Sequence, residues 1–225
     1  ALELINFYKA YRALVRAKVS LFRLGQEQDP EQCRLILAQY RRYANLAESY
    51  SAIPANFLAI THGVSAVGKS HVAMRLVESL GAIRLRSDVE RKRLLGEQNN
   101  DLKNQINTGI YSADASQATY QRLHQLARQA LQAGFAVVVD AAYLKQQQRQ
   151  AAHQVVEQTG APMLILDCRA ADIVISARLA QRQTGEQDPS DATQAVIDAQ
   201  QLNRQALDQT EQAISISVDT DDASS

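Results

Sequence analysis

The run Gly63-Val64-Ser65-Ala66-Val67-Gly68-Lys69-Ser70 constrains this chain more than any other stretch of it. It fits the pattern G-x-x-x-x-G-K-[ST], and its flanks fit too. Residues 56–62 are apolar and strand-like, and residues 71–80 are helix-like. A loop so placed wraps a phosphate chain with successive backbone N–H groups, and the following helix N-terminus adds roughly half a positive charge. His71 opens the helix beside that loop. In such a loop Lys69 reaches the outer phosphates and the Ser70 hydroxyl ligates Mg²⁺. The bland alternative is a Gly-rich strand-to-helix turn with a chance lysine, and the matching flanks weigh against it.

With 225 residues, the chain is long enough for one moderate domain plus an appendage. Lys and Arg total 24, as do Asp and Glu, so the net charge of zero gives no footprint for a nucleic-acid-coating or membrane-surface protein. No apolar run approaches the ~18 residues of a membrane span. The two cysteines, Cys33 and Cys168, lie far apart without histidines at ligand spacing, which argues against a disulfide framework and a zinc site. A reducing cytoplasm is the expected compartment, and Cys168 reads as a small core residue.

Two parts are expected. Residues 1–53 carry apolar positions at helical spacing (Leu4, Tyr8, Tyr11, Leu14, Val15 and Phe22, then Leu35, Leu37, Tyr40, Tyr43 and Leu46) around a stop at Gly25 to Pro30. This is a helical hairpin, its Arg and Lys residues read as a solvated face. Residues 54–225 alternate strand and helix, with strands expected over 57–62, 82–85, 135–140, 163–168 and 214–218. Short, nearly continuous apolar strands between helices predict an α/β fold with a parallel five-stranded sheet covered on both faces; the order 2-3-1-4-5 is expected from the resemblance given below.

Ligands in such sheets bind beyond the carboxyl ends of the strands. That rule selects Asp88 after the second strand, Asp140 closing the third and Arg169 after the fourth. Asp88 is a candidate base for an acceptor hydroxyl, and Arg91, one turn on, a candidate to hold the acceptor or the transferring phosphate. Ser87 and Glu90 also read as a capping box, which is compatible. Asp140 is expected to hold Mg²⁺ with Ser70, directly or through water; the alternative is a strand-end cap. Tyr143 reads equally as packing and as an acceptor-pocket wall. Arg178 and Arg182 share a helix face before the breaker at residues 185–189. They read either as a solvated face or as a closing lid that brings charge to a transferring phosphate.

GVSAVGKS, RSDVERKRLLG, the GIYS of residues 109–112, VVVDAAYL, LILDCRA and the arginine segment occur in that order. Together they resemble the small P-loop kinase domain of bacterial proteins that pair it with an aminoglycoside-phosphotransferase-like domain. The group is similar to polynucleotide 5′-kinases and zeta toxins. The resemblance covers residue 56 to about residue 219. It implies ATP and Mg²⁺, with Gly63 to His71 and Arg178 contacting the nucleotide, Lys69, Asp88, Arg91 and Arg182 serving catalysis, and Ser70 and Asp140 holding the metal. The hairpin resembles the last helices of the phosphotransferase-like domain, which implies such a domain N-terminal to this chain.

Three departures stand out. Relatives have glycine where Ala66 stands and threonine at His71, and alanine fits the loop only if that position needs no positive φ. Where relatives read Asp-Ala-Thr, this chain has Asp140-Ala141-Ala142. The expected activity is transfer of the γ-phosphate of ATP to a hydroxyl of an unidentified acceptor. The alternatives are an ATP-binding regulatory module and a plain ATPase. No Asn-Lys-x-Asp guanine signature occurs.

Overall fold

The computed structural model describes residues 4–51, 56–98, 113–183 and 194–221. Two compact units result, Ala1–Ala55 and Asn56–Ser225.

The first unit is a pair of long helices, α1 (Ile5–Leu24) and α2 (Pro30–Ser51). Pro30 begins α2 at the first helical position, where its missing N–H costs nothing, and Asp29 Oδ1 caps the Glu31 N–H at 3.0 Å. Gly25 ends α1 with right-handed backbone (φ −67), so its conformational freedom is not what stops the helix. Small side chains make the seam: Ala13, Ala17, Ser20 and Ala47 are buried together with Ile36. A groove of about 490 Å³ opens along the pair, lined by residues including Tyr8, Lys9, Arg12, Tyr43 and Tyr50. Phe7, Tyr8, Tyr11, Leu14 and Phe22 remain exposed.

The second unit is a five-stranded sheet, all parallel as the alternation of strands and helices predicts, in the expected order β2-β3-β1-β4-β5. The strands are β1 (Leu58–His62), β2 (Ile83–Arg86), β3 (Val137–Asp140), β4 (Met163–Arg169) and β5 (Ser215–Asp219). Each falls within two residues of its expected position. Between them run α3 (Lys69–Leu80), α4 (Ser87–Gln98), α5 (Ala113–Gln132), α6 (Gln146–Thr159), α7 (Asp172–Gln183), α8 (Gln194–Leu202) and the short α9 (Gln209–Ala213).

The apolar runs are continuous because both sheet faces are covered. On one face Leu58, Ile60, Val137, Val139 and Ile165 pack against Leu123 and Ala127 of α5 and Ala152 and Val155 of α6. On the other, Ala59, Val138, Leu166 and Cys168 meet Ala73 of α3, Ile175 and Leu179 of α7 and Ile197 of α8. Each fully buried aliphatic side chain contributes about 1.5–3 kcal/mol, so the central strands hold the carboxyl edge of the sheet in place. Cys168 is part of this core. Burial raises its thiol pKa to about 12, which removes it as a nucleophile.

Among the described residues, no helix is long and apolar enough to cross a membrane.

Candidate phosphate-binding site

Strand register decides which polar groups share the carboxyl edge. Arg86 lies opposite Asp140, and His62 opposite Asp167. Adjacent strands are about 4.8 Å apart, so these residues form one polar row across β2, β3, β1 and β4. The glycine-containing loop leaves β1 in the middle of that row.

Both loop glycines are required by geometry. Gly63 has φ 141, and a Cβ there would lie 2.9 Å from the Cys168 carbonyl and from Val67 Cγ1. Gly68 has φ 94, and a Cβ there would meet Thr220 at 3.0 Å. Gly68 then starts α3, where His71 N–H and Val72 N–H both close onto its carbonyl.

Ala66 overturns one condition drawn from the sequence. The fourth loop position does need positive φ: Ala66 sits at φ 63. Its methyl group is buried among the residues that pack on α3 and α7, and this packing holds a conformation that costs an L-residue roughly 1–2 kcal/mol. Ala66→Gly is therefore expected to stabilise the fold by about 0.5–1 kcal/mol, after the greater freedom of glycine in the unfolded chain is subtracted. A higher urea midpoint at unchanged m-value checks this.

Lys69 Nζ donates to Val64 O at 2.6 Å, within its own loop. The Ser70 hydroxyl donates to Asp140 Oδ2 at 2.8 Å, so the two expected metal ligands do meet. The same carboxylate oxygen accepts from Arg84 at 2.5 Å, and Asp140 is 6% exposed. A hydroxyl and a carboxylate form the hard oxygen pair that suits Mg²⁺, which takes few protein ligands and keeps its waters. The residues fit the ion. Arg84 was not singled out in the sequence; the only signal was its alternation with Arg86, which places both on one face of β2. Close by, the Thr61 hydroxyl donates to Ala141 O at 2.7 Å and accepts from Ala141 N at 3.1 Å.

Asp88 opens α4 with both carboxylate oxygens engaged: Oδ2 accepts from Arg86 at 2.6 Å and Oδ1 from the Val89 N–H at 2.8 Å. The capping box read from Ser87 and Glu90 does not form. Ser87 lies inside the helix, and the Glu90 carboxylate is buried against Arg93 (2.5 Å) and Arg122 of α5 (3.7 Å). Arg91 is half-buried on α4, and its charge reaches the Tyr120 phenol. Burial raises the pKa of that phenol, opposed by a backbone hydrogen bond at Tyr143 and by Arg91.

Tyr143 is a packing residue, fully buried, with the unusual φ of 47. Its surroundings over-determine that backbone. The N–H donates to Tyr120 Oη at 3.1 Å, the carbonyl accepts from Arg149 at 3.1 Å, and the ring packs edge-on against Tyr120. His124 Nε2 lies 3.1 Å from Tyr143 Oη. Burial, then Arg128, lowers the His124 pKa to about 4, so the ring is neutral near pH 7.

Arg178 of α7 does not face open solvent. It donates to both the carbonyl and the hydroxyl of Thr220, just past β5. The Thr220 hydroxyl in turn donates to Val67 O at 2.5 Å, which links α7 to the loop through one buried threonine. The Arg182 side chain lies outside the described residues, as do the GIYS segment at 109–112 and the breaker at 185–189. On the other side of β4, Asp167 joins His62 Nδ1 (2.7 Å), Arg169 (2.7 Å) and Arg204 (3.1 Å). Burial raises its pKa, but hydrogen bonds from His62 and Arg169 outweigh burial and hold it at about 2.

A strand, a glycine-bounded loop with Lys69 and Ser70, and an aspartate on the neighbouring strand thus occupy one sheet edge. A family model described as AAA domain matches residues 58–207, which spans that edge. The chain belongs to the AAA domain family. Among curated relatives of this AAA domain, uncharacterized proteins of Mycobacterium tuberculosis (strain ATCC 25618 / H37Rv) and Mycobacterium bovis (strain ATCC BAA-935 / AF2122/97) are each 30% identical over 212 residues. The match covers 89% of this chain and 40% of theirs, so the chain spans well under half the length of these relatives. Two solved structures share the fold. A sugar kinase from Janibacter sp. HTCC2649 has TM-score 0.54 at 17% identity, covering 73% of this chain and 85% of that one. A gluconokinase from Sinorhizobium meliloti 1021 has TM-score 0.50 at 17% identity, covering 74% and 83%. The AAA domain here therefore has a P-loop kinase-like fold.

Proposed function

We propose that this AAA domain is an ATP- and Mg²⁺-dependent phosphotransferase that moves the γ-phosphate to a hydroxyl of an acceptor. The observation that carries the reading is the contact of Ser70 with Asp140 beside a loop whose lysine is already turned inward. Loop N–H groups and the start of α3 bind the phosphates, with Gly63 and Gly68 giving the backbone its close approach. Lys69 leaves the Val64 carbonyl to neutralise the outer phosphates, a charge-assisted exchange of one oxygen acceptor for a stronger one. Ser70 and Asp140 hold Mg²⁺, and Arg84 orients the Asp140 carboxylate. When bound there, Mg²⁺ would supply positive charge against the phosphate oxygens.

Asp88 accepts the acceptor's hydroxyl proton. Arg86 and the Val89 N–H fix its carboxylate while leaving lone pairs for that hydroxyl. Arg91, on the same helix, positions the acceptor. Arg178 braces the loop through Thr220, and Arg182 serves as the lid arginine. The same reading assigns the N-terminal hairpin to a preceding phosphotransferase-like domain, in support of which α1 exposes Phe7, Tyr11, Leu14 and Phe22.

Lys69→Ala tests the core of this proposal. Loss of a charged hydrogen bond to phosphate is expected to weaken binding of an ATP analogue by about 10-fold or more, measured by calorimetry. ATP turnover in the presence of a panel of hydroxyl compounds then separates a kinase from an ATP-binding module, which would bind without turning over.

A further inference from the structure

One peptide group in the loop is held at both ends. The Val64 carbonyl accepts from Lys69 Nζ at 2.6 Å, and the Ser65 N–H of the same peptide donates to Gln200 Oε1 at 2.7 Å. Lysine at this position is the group that reaches the outer phosphates, so the 64–65 peptide marks the outer-phosphate end of the loop. A backbone N–H there serves one acceptor at a time. The amide oxygen of Gln200 stands where a phosphate oxygen would compete for it.

Gln200 is delivered to that spot by an anchored element. It projects from α8, one turn beyond Ile197, which is 1% exposed in the core. Just past α8, Arg204 donates to Asp167 Oδ1 at 3.1 Å, and Asp167 also holds His62, the residue immediately before the loop. The end of α8 is therefore tied to the loop at Ser65 and to the strands beneath it at Asp167. Glutamine suits this contact: its oxygen accepts the N–H without adding negative charge near phosphate.

We propose that Gln200 is a positioning residue that distinguishes a nucleoside triphosphate from a diphosphate. A terminal phosphate oxygen takes the Ser65 N–H from the Gln200 amide and thereby loosens the hold of α8 on the loop. A diphosphate, which does not reach this end, leaves the contact in place. The inference rests on the nucleotide-binding reading above.

The test is calorimetric titration of the full chain with the non-hydrolysable ATP analogue AMP-PNP and with ADP, both with Mg²⁺. Gln200→Ala removes the competing acceptor, so AMP-PNP binds roughly 2–10-fold more tightly while ADP affinity is unchanged. Gln200→Met, which keeps the length of the stem, gives the same sign. Gln200→Glu places a negative charge at the terminal phosphate and weakens AMP-PNP by about 10-fold or more relative to ADP. If the AMP-PNP to ADP ratio is the same in all three variants while Lys69→Ala still weakens AMP-PNP, the role of Gln200 is wrong and the nucleotide reading stands. If Lys69→Ala leaves AMP-PNP affinity intact, the nucleotide reading fails and this inference falls with it.

Discussion

Asp88→Asn is expected to lower phosphoryl-transfer turnover by about 10²–10⁴, the usual contribution of a positioned carboxylate base. Nucleotide affinity should change little. The asparagine keeps the shape of the side chain and can still accept the Val89 N–H that Oδ1 accepts at 2.8 Å. Its single amide oxygen cannot also serve Arg86, now 2.6 Å from Oδ2, so an amide nitrogen faces Arg86 and that contact is lost. Nor can the asparagine take up a proton. The substitution therefore removes the chemistry while keeping the Val89 contact that orients the side chain, which Asp88→Ala would not. β2 is separated from β1 by β3, so Asp88 stands about two strand spacings, ~10 Å, from the strand that carries the loop. That gap leaves room for a phosphate and an acceptor hydroxyl between them, and it explains why nucleotide binding should be insensitive. The measurement is steady-state turnover with a working acceptor, paired with calorimetric affinity for an ATP analogue. Equal turnover of wild type and Asp88→Asn would remove Asp88 as the base.

What the sequence disclosed follows from the range over which each feature acts. The strands were legible because five short apolar runs, each bounded by turn or helix signals, leave no other arrangement that buries them. The Ser70–Asp140 pairing followed from a local loop motif and one aspartate closing a strand. Contacts made across long separations were not legible. Gln200 meets Ser65 across 135 residues and Thr220 meets Val67 across 153, and neither is marked by residue type. Glu90 was misread because its burial partner, Arg122, comes from another helix, whereas a capping box is judged on four consecutive residues. Ala66 was misread because side-chain identity predicts backbone conformation only where packing does not override it. Arg178 reads from its helix face alone as solvated or lid-forming, and its contact with Thr220 after β5 is a long-range one the sequence does not mark.

Arg149→Met is expected to destabilise the second unit by about 3–5 kcal/mol, the cost of breaking a buried, hydrogen-bonded ion pair from one side. Arg149 is 1% exposed. Its guanidinium spends every nitrogen. Nε and one terminal nitrogen form a two-pronged pair with Glu211 at 2.8 and 3.0 Å, and that terminal nitrogen also donates to Ala206 O at 3.1 Å. The other terminal nitrogen donates to the carbonyls of Tyr143, Leu144 and Gln205 at 3.1–3.3 Å. Three segments are thereby joined: the turn after Asp140, the connection beyond α8, and α9. Methionine fills much of the same volume but satisfies none of these acceptors, so Glu211 and four carbonyls lose a donor together. Against a typical total of about 5–15 kcal/mol, the loss is a large part of the fold's margin. The strained Tyr143 backbone should relax as well, because its carbonyl restraint is gone. Urea denaturation at fixed m-value measures the effect. Adding Glu211→Met should recover part of it, since an unpaired buried carboxylate is worse than none. A loss below about 1 kcal/mol in the single variant would mean that water replaces the guanidinium without penalty, and that Arg149 is not what fastens the α8–α9 connection to the site.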